Sequence, residues 1–215
     1  EIGVASTKAF TTQLVSLALL TCTIGKIKNK INKKQEKGII DGLKHLPGLV
    51  NEALLQEAQI KKLAHRFKDV NSALFLGRGT MHAIAMEGAL KLKEISYIHA
   101  EAFPAGELKH GPIALIDKDM PVIAVAPNDE LLSKLKSNLQ EVKSRGSQMI
   151  IFEDENSKIQ KTDSMEIIPI TSNLGRITAP IIFAIPLQLL SYHVALVKDT
   201  DVDRPRNLAK SVTVE

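Results

Sequence analysis

The sequence predicts an α/β protein in which helices flank a doubly wound, mostly parallel sheet, and a helical segment precedes the sheet. Short apolar runs alternate with helical stretches after residue 72, which is the pattern of βαβ units. The strand candidates are continuous apolar runs, as expected for parallel strands that are covered on both faces. Ligands of such sheets bind beyond the carboxyl ends of the strands.

The composition is that of one globular unit with an aliphatic core. The chain has 215 residues, of which 44% are hydrophobic and 24% are charged, and this is enough for one core with an appendage. Aromatic residues make up 4% and Trp is absent. Because a nucleic-acid site needs basic groups together with stacking aromatics, the net charge of +4 fits a phosphorylated small molecule better than nucleic acid.

The single cysteine, Cys22, lies in the apolar run 14–24 and excludes a disulfide framework. It fits a reducing cytoplasm and is interpreted as core packing. No window of about 20 apolar residues is found, so a membrane span is not expected, and no signal peptide is recognised. The chain begins at Glu1 within what reads as structured sequence, and we expect it to be part of a longer protein.

Residues 1–5 are predicted to be a loop or a strand remnant, and helices are predicted from there to residue 67. The predicted helices run from residue 7 to about 28, from 34 to 45 and from 49 to 67. Ser6 or Thr7 caps the first of them, and Pro47 with Gly48 breaks the chain between the last two. The lysine-rich run 26–37 is interpreted as a solvated helix end, with an anion-binding patch as the alternative.

Strands and helices alternate in the rest of the chain. The predicted strands are 73–76, 121–126, 148–152 and 165–170, and the predicted helices are 81–96, 130–144 and 178–197. The turn Gly77–Thr80 joins the first strand to its helix. The segment 97–120 is predicted to be irregular, and the tail 199–215 shows no periodicity.

Three charged residues on the helix 81–96 are the first candidates for chemistry. Glu87, Lys91 and Glu94 are spaced i, i+4 and i+7, so they share one face, among apolar neighbours. Charges at positions where a core is expected indicate either catalysis or a paired internal network. A carboxylate beside a lysine can serve as a general base, and an exposed salt-bridge face is the alternative.

Other candidate groups lie in loops. Arg78, within the glycine turn before a helix, can bind an anion, although a plain tight turn fits equally well. His110 lies in a loop between glycine and proline, where structural histidines are common. Lys210 in the tail either is solvated or forms a Schiff base with a carbonyl substrate. We find no metal-ligand spacing, Walker motif or nucleophile elbow, and so predict no metal.

Several long motifs, in order along the chain, closely resemble the glutamine–fructose-6-phosphate amidotransferases (glucosamine-6-phosphate synthases). They are residues 1–11, 75–79, 89–102, 106–112 and 205–215. The resemblance implies the C-terminal part of the isomerase half, which consists of sugar-isomerase (SIS) domains. It divides the chain into the end of a first SIS domain (1–46), a second SIS domain (47–199) and a catalytic tail (200–215).

The resemblance also implies roles for individual residues. Glu94 matches the base that moves a proton between C1 and C2 of the sugar, and Lys91 matches its partner. His110 matches the histidine that assists ring opening in a neighbouring subunit, and Lys210 matches the Schiff-base lysine. The remaining expected substrate-binding residues are Val4, Ser6, Arg78, Glu87 and Ala209.

The family converts fructose 6-phosphate and glutamine to glucosamine 6-phosphate and glutamate in the cytoplasm. For this chain, the resemblance implies a sugar-phosphate substrate, a homodimer formed through the SIS domains, and no cofactor. The family's glutaminase domain and the Ser/Thr-rich phosphate loop of its first SIS domain are missing here, and Cys22 does not replace the glutaminase cysteine. We therefore expect little or no catalysis by this fragment alone.

Three other functions compete with this one. A non-catalytic SIS module that senses sugar phosphate would keep the turn around Arg78 but would not need Glu94, His110 and Lys210 together. An isomerase or deglycase of the same fold would lack the family-specific tail. A nucleic-acid binder is the most distant alternative, and strong salt dependence of DNA binding would support it.

Overall fold

The computed structural model describes residues 2–171 and 174–211. The α-helices are α1 (Lys8–Ile27), α2 (Lys33–Leu54), α3 (Glu57–Ala64), α4 (Thr80–Ser96), α5 (Leu132–Lys143) and α6 (Thr178–Val197). The strands are β1 (Ser72–Gly77), β2 (His99–Pro104), β3 (Val122–Ala126), β4 (Met149–Glu153) and β5 (Met165–Pro169). Short 3₁₀ turns cover His65–Phe67, Ala105–His110 and Pro112–Leu115.

The five strands form one parallel sheet in the order β2-β1-β3-β4-β5. The predicted α/β class with a doubly wound parallel sheet is confirmed. The chain passes from β1 outward to β2 and then returns to β3 on the other side of β1. This reversal puts a crevice at the carboxyl ends of β1 and β3, where α/β sheets commonly bind ligands.

Alternate strand residues build two cores, one on each face of the sheet. On one face, Phe75, Val125 and Phe152 pack with helices α3, α4 and α6. On the other face, Leu76 and Ala124 pack with α5 and with the 3₁₀ turn after β2. Both faces are buried, which explains why β1, β3 and β4 are continuously apolar rather than alternating.

The predicted break at Pro47 and Gly48 is wrong, because α2 continues through both residues to Leu54. Proline cannot donate to the carbonyl of Leu43 four residues earlier, and this normally interrupts a helix. Here Pro47 is exposed, while Leu46 on the same helix is buried in the core next to α6. Tertiary packing therefore overrides the local preference. The proposed boundary between residues 46 and 47 falls inside this helix, and the domain division stays a prediction.

The segment predicted to be irregular contains a strand, β2, at the edge of the sheet. Its residues pair in parallel with β1, from Ser72 opposite His99 to Gly77 opposite Pro104. The sequence does not predict this strand. As an edge strand it has only one neighbour and carries the polar residues His99 and Glu101, so it does not form an apolar run. It carries the chain back to the carboxyl edge of the sheet, directly before the 3₁₀ turn that contains His110.

Two helices are long and apolar enough to cross a membrane by length and composition, so the expectation that no such window exists is wrong. Polar residues interrupt both helices, but the mean hydropathy of each remains high enough for a membrane span. One is α6, which is the buried core helix of this fold. The other is α1, in which Cys22 is buried as expected but Leu20 and Ile24 are exposed. A buried core helix meets the same criterion, so the membrane evidence is weak.

Candidate functional site

The three charged residues predicted on one face of α4 form a compact buried group. Lys91 donates a 2.6 Å hydrogen bond from Nζ to Glu94 Oε2, and Nζ lies 3.6 Å from Glu87 Oε1. The side chain of Lys91 is 4% exposed, that of Glu87 is 8% exposed and that of Glu94 is 23% exposed. The alternative of an exposed salt-bridge face therefore does not describe this group. Of the two carboxylates, Glu94 is the more exposed to solvent.

Burial gives Glu87 an unusual proton affinity. Removal from water raises the pKa of this carboxyl from its ordinary 4.5 to about 7; the charge of Lys91 opposes the rise and that of Glu94 adds to it. Glu87 Oε1 has no hydrogen-bond partner, because the nearest donor, Lys91 Nζ, is 3.6 Å away. Near neutral pH, Glu87 therefore changes its charge at a distance of 3.6 Å from Lys91 Nζ.

A cavity of about 300 Å³ adjoins Lys91. Its other walls come from distant parts of the chain, namely the N-terminal segment before α1, helix α6 and the start of the tail. The lining residues are Ile2, Gly3, Ala5, Thr7, Lys91, Ile95, Gln188, Tyr192, Val202 and Asp203. Glu87 faces a different hollow, an open groove of about 610 Å³ between α4, β2 and Phe10.

The N-terminal segment and the tail are tied to each other beside this cavity. The backbone N–H of Val4 donates to the carbonyl oxygen of Asp203 at 2.9 Å, and Thr200 Oγ1 donates to the carbonyl oxygen of Ile95 on α4 at 2.5 Å. Val4 and Ser6 are both partly buried in this segment. Ala209 and Lys210 lie further along the tail and are exposed. Val4 and Ser6 lie in the segment that walls the Lys91 cavity, but the residues of this segment that line the cavity are their neighbours Gly3, Ala5 and Thr7, with Ile2.

Arg78 occupies a different place. Its Nη1 donates a 2.7 Å hydrogen bond to Oδ1 of Asn138 on α5, which is buried. Its guanidinium also lies against Gly106, where a Cβ atom would meet both terminal nitrogens at 3.1 Å. Arg78 therefore joins the turn after β1 to α5 and to the loop after β2. Its predicted role in substrate binding stays a prediction.

His110 shares the carboxyl edge of the sheet with Arg78 rather than the Lys91 group. Its side chain is 74% exposed, and Nε2 lies 3.8 Å from Glu107 Oε2. The start of α4 at Thr80 and Glu94 near its end are separated by 14 residues, or about 21 Å along the helix. Within one chain, the structure therefore does not bring Arg78 and His110 together with Glu94.

Some residues at this site were not singled out from the sequence. Tyr97, the residue after α4, accepts a hydrogen bond from the backbone of Arg206 in the tail, and Gln188 Nε2 donates to the carbonyl oxygen of Thr7 at 3.4 Å. No local pattern indicates these contacts, because the partners are 109 and 181 residues apart. Within residues 2–171 and 174–211, no group of three or more His, Cys, Asp or Glu is placed to hold a metal ion.

The fold and these residues define the chain as a sugar-isomerase domain protein. The SIS domain family matches residues 66–198, which is more than half of the chain, and the chain belongs to this family. The match begins before β1 and ends just after α6, so it includes the whole sheet and the group around Lys91.

The curated relatives carry a more specific name. The chain is 58% identical over all 215 residues to glutamine–fructose-6-phosphate aminotransferase [isomerizing] of Escherichia coli (strain K12), and 58% identical to the protein of that name from Pseudomonas putida (strain KT2440). In each case it covers 35% of the relative. The chain thus spans about a third of the length of the curated relatives that it matches.

A solved structure agrees with this relationship. The C-terminal domain of glucosamine-fructose-6-phosphate aminotransferase from Francisella tularensis superimposes with a TM-score of 0.92 at 54% identity, covering 95% of this chain and 57% of that one. Glucosamine-6-phosphate deaminase from Thermotoga maritima superimposes with a TM-score of 0.71 at 21% identity, which shows a shared fold alone.

Proposed function

We propose that this chain is the isomerase part of a glutamine–fructose-6-phosphate aminotransferase and acts on fructose 6-phosphate. One observation carries the proposal: buried Lys91 contacts Glu94 beside a cavity that the N-terminal segment and the tail enclose. The name and identity of the relatives narrow this arrangement to one reaction class. Aldose–ketose chemistry needs a base that removes a carbon-bound proton, and a carboxylate paired with a buried lysine is suited to this role.

The proposed steps use His110 and Glu94 for proton transfer and Lys210 as the nucleophile. His110 passes a proton to the ring oxygen as the sugar ring opens. The Lys210 amine then adds to the C2 carbonyl and water leaves, which gives an imine. Ammonia replaces the lysine amine in this imine, and Lys210 is released. Glu94 removes the proton from C1 and returns it to C2, while the proton of the C1 hydroxyl passes to the imine nitrogen. This yields the aminoaldose and regenerates the carboxylate. Lys91 holds Glu94 in place through their 2.6 Å hydrogen bond.

The partners follow from the same proposal. His110 lies at the edge of the sheet where α4 begins, whereas Glu94 lies near the end of α4. His110 therefore serves the site of a second copy, and the protein acts as a homodimer. Upstream glutaminase and first SIS domains supply the ammonia and the phosphate clamp in the cytoplasm. The exposed apolar residues Leu17, Leu20, Ile24 and Ile27 of α1, spaced three and four apart, give an upstream domain a surface to cover.

Borohydride trapping tests the proposal. Fructose 6-phosphate is incubated with this chain, alone and joined to the upstream region of the Escherichia coli relative, then reduced and mapped by peptide mass spectrometry. We expect a sugar adduct on Lys210 in the joined protein and little in the chain alone, with Lys210→Arg as the control.

The same experiment separates the alternatives. Glu94→Gln should still form the Lys210 adduct but should lose exchange of the C1 proton with solvent by about 10² to 10⁴-fold. If neither protein is labelled at Lys210 although fructose 6-phosphate binds, the catalytic proposal fails and a module that senses sugar phosphate explains the result.

A further inference from the structure

The C-terminal tail is fastened to the end of α4 at two points on one side chain, Tyr97. The backbone N–H of Arg206 donates to Tyr97 Oη at 2.9 Å, and the Arg206 guanidinium lies over the aromatic ring, 4.1 Å from its centre. The two contacts use different parts of both residues. A cation above an aromatic face is attracted by the ring quadrupole, and the phenol oxygen separately accepts the hydrogen bond.

The backbone of Tyr97 is unusual for so large a residue. It ends α4 in the left-handed region, with φ +61 and ψ 13. Helices that end this way commonly place Gly or Asn at this position, because a Cβ atom is crowded there. This conformation costs free energy for a bulky residue, so the contacts of the Tyr97 side chain must stabilise it.

The attachment connects the helix that carries Glu94 to the tail that carries Lys210. Tyr97 follows Glu94 by three residues on the last turn of α4, and Arg206 precedes Lys210 by four residues in the tail. The residue before Arg206 is fixed as well, because Pro205 is buried. After Arg206 the chain turns at Asn207, whose φ is +62, and Leu208 N–H donates to the Pro205 carbonyl oxygen at 3.4 Å.

We propose that Tyr97 is the positioning residue of the C-terminal tail, and that its hold on Arg206 sets where Lys210 stands relative to Glu94. This inference rests on the proposed function for the roles of Lys210 and Glu94. The attachment itself depends only on Tyr97 and Arg206. Tyr97 contacts no reacting atom in this scheme; it acts through the tail.

Three variants separate positioning from a merely structural role. Tyr97→Phe removes the acceptor and keeps the ring, and Arg206→Gln removes the cation and keeps the N–H donor. Tyr97→Gly removes both contacts but suits the left-handed backbone, so it should not weaken α4. The chain has only two tyrosines, and Tyr192→Phe is the matched control for amide exchange alone, because Tyr192 on α6 lines the Lys91 cavity.

The first measurement is hydrogen exchange of the Arg206 amide in this chain, which needs no catalysis. We expect exchange to be about 2- to 10-fold faster in Tyr97→Phe and unchanged in Tyr192→Phe, as for the loss of one neutral hydrogen bond. Equal exchange in Tyr97→Phe and the unmodified chain would overturn the inference.

The second measurement is borohydride labelling of Lys210 in the chain joined to the upstream region of the Escherichia coli relative. We expect Tyr97→Gly to lower the labelling rate more than Tyr97→Phe, without loss of thermal stability, and Arg206→Gln to add nothing in the Tyr97→Gly background. Labelling that is unchanged despite faster exchange would overturn the role in positioning. If the unmodified protein is not labelled either, the proposed function has failed, while amide exchange still decides whether Tyr97 holds the tail.

Discussion

At the scale of single residues, Glu87 links the candidate site to protein stability. Its pKa is about 7 in the folded protein and 4.5 ordinarily, so the folded state binds more protons than the unfolded chain between these pH values. The free energy of unfolding therefore receives a contribution that is fully present below pH 4.5. This contribution is lost as the pH rises toward 7 and above.

Replacing Glu87 by glutamine should remove this pH dependence. We expect the unmodified chain to lose up to about 3 kcal/mol of unfolding free energy from this residue between pH 4.5 and pH 8, and Glu87→Gln to lose much less. Urea unfolding across this pH range measures the difference. Glu107→Gln is the control, because Glu107 is exposed in a loop. Parallel pH profiles for Glu87→Gln and the unmodified chain would contradict the assignment.

Arg78 shows at the same scale what a local sequence pattern leaves open. An arginine between two glycines before a helix is a candidate to bind an anion, and this role stays a prediction. In the folded chain its guanidinium bonds to Asn138 and lies on Gly106, and no local pattern indicates these contacts. It supports the loop that carries His110, and Lys109 assists by pairing with Glu141 on α5 at 2.9 Å.

At the scale of elements, α2 tolerates a proline and a glycine at successive positions in its interior. Proline removes a backbone hydrogen bond and glycine adds conformational freedom, so both residues destabilise a helix relative to alanine. Gly48 has open space around it, since a Cβ atom there would meet nothing within 4 Å. The intrinsic cost of both residues is offset by packing of the apolar face of α2.

This interpretation predicts the effect of two neighbouring substitutions. Pro47→Ala should raise the free energy of unfolding by up to about 3 kcal/mol, and Gly48→Ala should raise it by about 1 kcal/mol. Chemical denaturation of each variant measures both values, and each serves as the control for the other. A smaller gain from Pro47→Ala than from Gly48→Ala would mean that α2 is bent at Pro47 in a way that the packing requires.

At the scale of the whole molecule, the separation of His110 from Glu94 has a consequence for assembly. The proposed chemistry uses both residues in one site, and within one chain they lie near opposite ends of a helix that spans 17 residues. In a symmetric dimer, His110 of each copy can lie next to Glu94 of the other copy, so that the dimer contains two complete sites.

Complementation of two inactive variants tests this arrangement. Joined proteins that carry His110→Ala and Glu94→Gln should each be inactive. When co-expressed, they should recover about a quarter of the activity, because half of randomly assorted dimers are mixed and each mixed dimer contains one complete site. Product formation from fructose 6-phosphate measures this recovery. Absence of recovery, with mixed dimers verified by tagged co-purification, would place both residues in the site of one chain.

The α/β class, four of the five strands and helices α1, α4, α5 and α6 could be predicted from local pattern, because a strand or helix buried in a parallel α/β fold must be apolar over its whole contact surface. The i, i+4, i+7 spacing placed Glu87, Lys91 and Glu94 on one helix face, and the motifs of the tail indicated the family. Tertiary structure alone decided that this face is buried, that edge strand β2 exists, that α2 passes through Pro47, and that Tyr97 holds Arg206. Each of these depends on contacts between residues far apart in the chain, whose energies no local sequence pattern contains.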